Sequence, residues 1–249
     1  MKLGSLFSGR GGFEIGAKAA GIETLWTCEI DDFLHYKLKR IVRNATHYRD
    51  VRSVKNPAAV EIISAGFPCQ DISISKTSGK KGIKGDRSGL WTEVCRITDE
   101  VKPRYLVLEN SPELLRQGFE YVLRDLSEIG YNAEWDCWRA ADFGYPHNRL
   151  RLYVIAYSDS VGSRCGVLRP PGAFELLQKW TPTPAYLRVS TCRARGFRDI
   201  ASIQRDYEFP HFRLEVAAFG NAVMPVVAEH LFRCILENER FLKTNENGE

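Results

Sequence analysis

The first 156 residues alternate short apolar runs with stretches whose apolar positions recur at helical spacing. Residues 2–7 (KLGSLF), 23–28, 62–65 (IISA), 104–108 (RYLVL), 131–138 and 150–156 (LRLYVIA) read as strands. Gly9, Gly11 and Gly12 form a turn after the first strand, and a helix follows to Ala20, closed by Gly21. Asp31-Asp32 offers a cap for a helix in which Leu34, Leu38 and Ile41 share one face. Residues 118–129 read as a helix with Val122, Leu126 and Ile129 on one face and Gly130 as its stop. A Gly144-Tyr145-Pro146 turn joins the last two strands, and a final helix begins after Pro225 with Val227, Leu231 and Ile235 aligned. This rhythm predicts an α/β fold: a mainly parallel, doubly wound sheet with helices on both faces.

The rhythm fails at Tyr157. Residues 157–216 hold Pro170-Pro171, Pro182, Pro184 and many arginines, with weak periodicity. Trp180, Tyr186, Phe197, Tyr207 and Phe212 are too many aromatics for a disordered linker. The expectation is a small irregular subdomain, 157–216, inserted into an α/β body made of 1–156 and 217–243. Residues 244–249 are expected to fray.

Composition narrows the setting. The seven cysteines are scattered singly, with no CxxC pair and an odd total, which argues against a disulfide framework or zinc ribbon and for a reducing compartment. The histidines suggest no metal site, and His35 and His47, far apart in sequence, read as surface residues. The first residues lack the apolar core of a signal peptide, and no apolar stretch approaches a membrane span. The net charge of +4 permits a nucleic-acid partner without requiring one.

Chemistry concentrates at strand ends. Gly66-Phe67-Pro68-Cys69-Gln70 follows the apolar run 62–65, so a cysteine sits on a turn where open α/β sheets place their ligands. Pro68 restricts the backbone on both sides, which suits a fixed nucleophile, although a lone cysteine is more often a small buried hydrophobe. Lys76, Lys80, Lys81, Lys84 and Arg87 crowd the next stretch among Gly79, Gly82, Gly85 and Gly89. That is either a solvated loop or one whose cations meet phosphates. Phe7-Ser8-Gly9-Arg10-Gly11-Gly12-Phe13 is a turn over which backbone can approach a ligand, and Glu29 ends the next strand where nucleotide folds place a ribose acceptor. Asp50 closes the following unit, where it can accept from an adenine amine. The spacing does not separate NAD from another adenosine cofactor, but the lack of Gly-Lys-Ser/Thr argues against a P-loop.

Together these residues resemble the C5-cytosine DNA methyltransferase family. Phe7 to Gly12 looks like its first S-adenosylmethionine motif, and Glu29 and Asp50 match the acidic ends of the next two. Pro68-Cys69-Gln70 matches the nucleophile motif, Glu109-Asn110 the Glu-Asn motif, and Arg149-Leu150-Arg151 the paired arginines. Gly220-Asn221-Ala222-Val223 matches the last cofactor motif, and all stand in family order. Arg10 departs from a smaller residue, Ser111 from valine, and His147 from glutamine. The stretch before Gly220 is short for the family's target-recognition domain, whose Arg-Leu-Gln-Gly-Phe motif is faint at Arg193-Ala194-Arg195-Gly196-Phe197.

The resemblance implies a Rossmann-like class I methyltransferase sheet with a small target-recognition subdomain. It implies S-adenosylmethionine held by Phe7, Ser8, Gly9, Gly11, Gly12, Phe13, Glu29, Ile30, Asp50, Val51, Gly66, Pro68, Asn221, Ala222 and Val223. Cys69 would add to C6 of a flipped-out cytosine, Glu109 would serve N3 and N4, and Arg151, supported by Arg149, would serve O2. Gln70, Ser73, Ser75, Arg87 and Asn110 would meet the substrate, and loop 73–90 would close as a lid. Arginines such as Arg164, Arg169, Arg188, Arg193, Arg195 and Arg198 would read bases. The implied setting is a monomer on double-stranded DNA in a bacterial or phage-infected cytoplasm, with a cognate restriction endonuclease as a partner. Rival readings are a tRNA cytosine-C5 methyltransferase and a catalytically inactive DNA-binding homologue. A nicotinamide oxidoreductase is a third, but it leaves the cysteine turn without a task.

Overall fold

The computed structural model describes residues 1–68, 89–143, 148–161, 167–169 and 222–246. Its strands are β1 (Lys2–Leu6), β2 (Glu23–Cys28), β3 (Thr46–Tyr48), β4 (Ile62–Ala65), β5 (Tyr105–Asn110), β6 (Tyr131–Arg139) and β7 (Leu150–Ser158). Its α-helices are α1 (Gly12–Ala19), α2 (Asp32–Ile41), α3 (Gly89–Val101), α4 (Phe119–Glu128) and α5 (Pro225–Glu246). The strands form one sheet in the order β3-β2-β1-β4-β5-β7-β6. β1 to β5 pair in parallel, whereas β7 runs antiparallel to both β5 and β6. The chain between Arg139 and Leu150 is shorter than the dozen or more residues a parallel crossover needs, so β6 and β7 can only lie antiparallel. The sheet is therefore mainly parallel, as the pattern predicts.

Side-chain alternation divides the core into two layers. Leu3, Ile62, Tyr105, Val107, Tyr153 and Ile155 face one side, where Phe13 and Ala17 of α1 and Val227, Leu231 and Phe232 of α5 cover them. Leu6, Ile63, Ala65, Leu106, Leu108 and Val154 face the other, beneath Trp91, Val94 and Ile97 of α3 and Val122 and Leu126 of α4. Strands covered on both faces read as continuous apolar runs, and β4 is buried at all four positions.

α1 and α5 approach closely because α1 presents glycines to its partner. A Cβ on Gly16 would lie 2.6 Å from Ala228 Cβ and 2.7 Å from the Pro225 carbonyl oxygen. Phe13 then meets Phe232 edge to face at 6.3 Å. This contact brings the end of the chain back to the first turn.

Several boundaries differ from the sequence expectations. β3 and α3 are elements to which the pattern assigns nothing, and Gly89 and Leu90, expected in a loop, open α3. β7 continues through Tyr157, which pairs with Tyr105, so the sheet crosses the boundary expected at residue 156. α5 continues through Glu246 into the segment expected to fray, where Thr244 Oγ1 donates to the Phe241 carbonyl at 2.8 Å. Among the described residues no helix is long and apolar enough to cross a membrane.

Candidate active site

The strand order reverses between β1 and β4, the place where open α/β sheets form a ligand crevice at their carboxyl ends. Leu6 pairs with Ala65, and Ala65 pairs with Leu108, so the turns leaving β1 and β4 and the residue Glu109 emerge at one level.

The first turn is built under strain. Phe7 has φ of 53°, a left-handed conformation for a bulky residue, and Gly9 and Gly11 follow at 56° and 80°. The Gly9 N–H donates to Glu29 Oε2 at 2.7 Å, and the Asp31 N–H donates to Glu29 Oε1 at 2.9 Å. One carboxylate at the end of β2 thus fixes both the glycine turn and the start of α2. Beside it the apolar side chain of Ile30 is 63% exposed. Arg49 Nη2 donates to the Ile30 carbonyl at 2.6 Å and secures that loop. Asp50 Oδ1 accepts from the Arg52 N–H at 2.9 Å, capping a short 3-10 turn, while the Val51 side chain is turned into the core. Ser8 Oγ lies 3.1 Å from Ser5 Oγ in a buried polar group beneath the turn. Glu14 completes that group, and sequence reasoning missed it. Its burial drives the carboxyl pKa up against the weaker pull of the Ser8 and Ser5 hydroxyls. Its signal was an acid at a core-facing position of α1.

The second turn, Gly66 to Pro68, is clamped from β5. Asn110 Nδ2 donates to the buried Phe67 carbonyl at 2.9 Å, and the Phe67 ring packs on Trp91 at 4.9 Å. A Cβ on Gly66 would lie 3.6 Å from Glu109 Oε2, so the Glu109 carboxyl stands directly over this turn. Ser111 caps the 3-10 turn that follows, which leaves Glu109 free of any capping role.

Glu109 is buried and faces the paired arginines. Arg151 Nε stands 3.1 Å from Glu109 Oε1, and Arg149 Nη2 stands 3.8 Å from the same oxygen. Burial raises the Glu109 pKa, and the two guanidiniums pull it back without cancelling that rise. Arg149 Nη1 also donates to the Ala222 carbonyl. Val223 packs on the first turn so closely that a Cβ on Gly12 would lie 2.1 Å from its carbonyl oxygen.

The structure thus brings Phe7 to Gly12, Glu29, Ile30, Gly66, Glu109, Asn110, Arg149, Arg151, Ala222 and Val223 together at the carboxyl ends of the parallel strands. The Phe13 and Val51 side chains belong to the core instead. Cys69, Gln70, Ser73, Ser75, Arg87 and Asn221 lie outside the described residues, as do Arg164, Arg188, Arg193, Arg195 and Arg198. Arg169 is described and packs on α5, with Nη1 3.2 Å from Glu237 Oε2. His35 and His47 are not the separate surface residues expected. Parallel pairing sets His47 beside Thr27, whose hydroxyl lies 2.7 Å from Nδ1, and α2 folds His35 back until the two rings are 6.0 Å apart. Among the described residues no three His, Cys, Asp or Glu side chains gather to hold a metal ion.

Comparison with known proteins agrees with this geometry. Residues 1–184 match the family model of C-5 cytosine-specific DNA methylases. The chain is 33% identical over 164 residues to the type II methyltransferase M2.BsuMI of Bacillus subtilis, covering 63% of this chain and 42% of that protein. It is 29% identical over 182 residues to the type II methyltransferase M.Sau3AI of Staphylococcus aureus, covering 65% of this chain and 44% of that one. It therefore spans less than half the length of these relatives. A solved E. coli prophage protein, described as a DNA modification methyltransferase, shares the fold with a TM-score of 0.56 and 23% identity. That match covers 69% of this chain and 51% of the other. The family match covers the glycine turn, the Pro68 turn, Glu109 and both arginines in one span, and the chain belongs to the C-5 cytosine-specific DNA methylase family.

Proposed function

We propose that the chain transfers a methyl group from S-adenosylmethionine to C5 of a flipped-out cytosine in a specific duplex DNA sequence, through a covalent bond between Cys69 and C6. The observation that carries this reading is the buried Glu109, disposed toward its neutral form and set over the Gly66 turn with Arg151 3.1 Å away. C5 of cytosine is a weak nucleophile, and addition of the Cys69 thiolate to C6 turns the ring into an enamine. A neutral Glu109 donates its proton at N3 as electrons leave C6, so charge does not accumulate on the ring. Arg151 offers a fixed fork of donors for O2.

In this reading the glycine turn holds the adenosine cofactor: Glu29 would accept from the ribose, exposed Ile30 would offer an apolar face beside it, and the left-handed turn would bring backbone close. S-adenosylmethionine, when bound, supplies an electrophilic methyl on a sulfonium. After transfer a water takes the C5 proton, the C5–C6 double bond re-forms, Cys69 leaves as the thiolate, and N3 returns its proton to Glu109. The base must leave the stack to reach this site, which costs a few kcal/mol. In this reading residues 73–88 close over it, and residues 159–216 read the flanking sequence. A monomeric enzyme in a bacterial or phage-infected cytoplasm, paired with a restriction endonuclease, belongs to the same reading.

Labelled-methyl transfer tests it directly. Purified chain should move label from S-adenosylmethionine to unmethylated duplex DNA and not to tRNA. Label entering tRNA alone would replace the substrate with RNA. Label entering neither, from protein that binds the cofactor, would mark an inactive homologue.

A further inference from the structure

Three motifs meet at Ala222 and Val223. The Val223 carbonyl presses on Gly12 of the cofactor turn, and Val223 Cγ2 lies 3.8 Å from the Cβ position of Gly66 in the turn before Cys69. The Ala222 carbonyl accepts from Arg149 Nη1. The other terminal nitrogen of that guanidinium stands 3.8 Å from Glu109 Oε1. One side chain therefore spans from the cofactor-side segment to the base-side carboxyl. The guanidinium is a rigid plane, so its two nitrogens cannot move independently. A shift at Ala222 therefore reaches Glu109 through this one group, and a shift at Glu109 reaches Ala222 the same way. At 3.8 Å the Arg149 to Glu109 approach is longer than a hydrogen bond and has room to close, while Arg151 Nε forms an ion pair with the same oxygen at 3.1 Å. The side chains of Arg149 and Glu109 are only 18% and 9% exposed, so water and salt screen them weakly.

Resting on the proposed function, we propose that Arg149 is a positioning residue that couples the two substrates, passing occupancy of the cofactor turn to the base pocket and back through Ala222. Such coupling is reciprocal: each ligand changes affinity for the other by the same factor.

The test uses S-adenosylhomocysteine, which cannot donate a methyl, and fragmented unmethylated bacterial DNA. Calorimetry gives the S-adenosylhomocysteine Kd with and without DNA for wild type, Arg149→Met and Arg149→Lys. Wild type should bind at least about fivefold tighter with DNA present, the lower end of measured couplings. Both variants should still bind each ligand alone, with the ratio falling to about one by the same reasoning. Lysine keeps the charge but cannot span both partners, so Arg149→Lys decides the matter if Arg149→Met fails to fold. A wild-type ratio of one, or an unchanged ratio in a folded variant, overturns the coupling. Wild-type protein that binds neither ligand refutes the proposed function, and the coupling falls with it.

Discussion

Asn110 Nδ2 donates to the Phe67 carbonyl at 2.9 Å, tying the end of β5 to the turn that leads into Cys69. The bond is buried, and the Asn110 carbonyl oxygen is used as well, by the Ser111 N–H at 2.8 Å. The side chain therefore fixes two loops at once. Asn110→Ala leaves the Phe67 carbonyl without this donor, at a cost of about 1–3 kcal/mol in stability. Turnover should fall at least about tenfold, the loss expected when about 1.4 kcal/mol of positioning is removed. S-adenosylhomocysteine affinity should fall less than turnover, because Asn110 clamps the Phe67 carbonyl and leaves the bonds of the Gly9–Gly12 turn in place. Denaturant unfolding and steady-state kinetics on the same preparation check both halves.

Under the proposed mechanism, Glu109 trades stability for function. Its folded pKa is raised by burial, so the folded chain binds the proton more tightly than the unfolded chain does. The carboxyl's favourable contribution is complete below its ordinary value of about 4.3 and is lost as pH rises through the folded value. Glu109→Gln should therefore raise Tm at pH 7, with the gain shrinking as pH falls through the folded value and gone by about pH 4, while turnover is abolished. Calorimetric melts across pH 4–8 read this directly. A lower Tm for the variant at pH 7 would show that the arginine pairs outweigh burial.

Gly16 sets the distance between α1 and α5. A Cβ there would lie 2.6 Å from the Glu229 nitrogen and 2.7 Å from the Pro225 carbonyl oxygen, both backbone atoms that cannot rotate aside. Gly16→Ala must push α5 outward and lift Val223 off Gly12. Overpacking of this kind costs about 1–3 kcal/mol. The melting temperature should fall, and S-adenosylhomocysteine should bind at least about tenfold more weakly, since about 1.4 kcal/mol of contact along the glycine turn is lost. A variant with lowered Tm and unchanged affinity would separate the helix packing from the cofactor turn.

Elements buried on both faces were legible because their apolar runs are continuous, as in β4 and β5. β3 was not: Thr46, His47 and Tyr48 form a short edge strand with no apolar run to mark it. α3 carries Trp91, Val94 and Ile97 on its buried face, but it begins at Gly89 inside a basic, glycine-rich stretch that hides its start. The Glu-Asn and paired-arginine motifs identified Glu109 and Arg151. The bonds from Asn110 to Phe67 and from Arg149 to Ala222 depend on strand register and on the return of α5, so no local pattern announces them. The His35 and His47 contact was hidden for the same reason, since a crossover makes neighbours of residues twelve apart.

The most direct measurement is bisulfite sequencing of DNA from a bacterium without cytosine methylation, after expression of the wild type or Cys69→Ser. Cytosines protected at one recurring sequence with wild type, and none with Cys69→Ser, are the predicted result. Equal protection with both proteins would contradict covalent catalysis by Cys69. No protection from a folded wild-type chain that binds S-adenosylmethionine would contradict the assignment of DNA cytosine as its substrate.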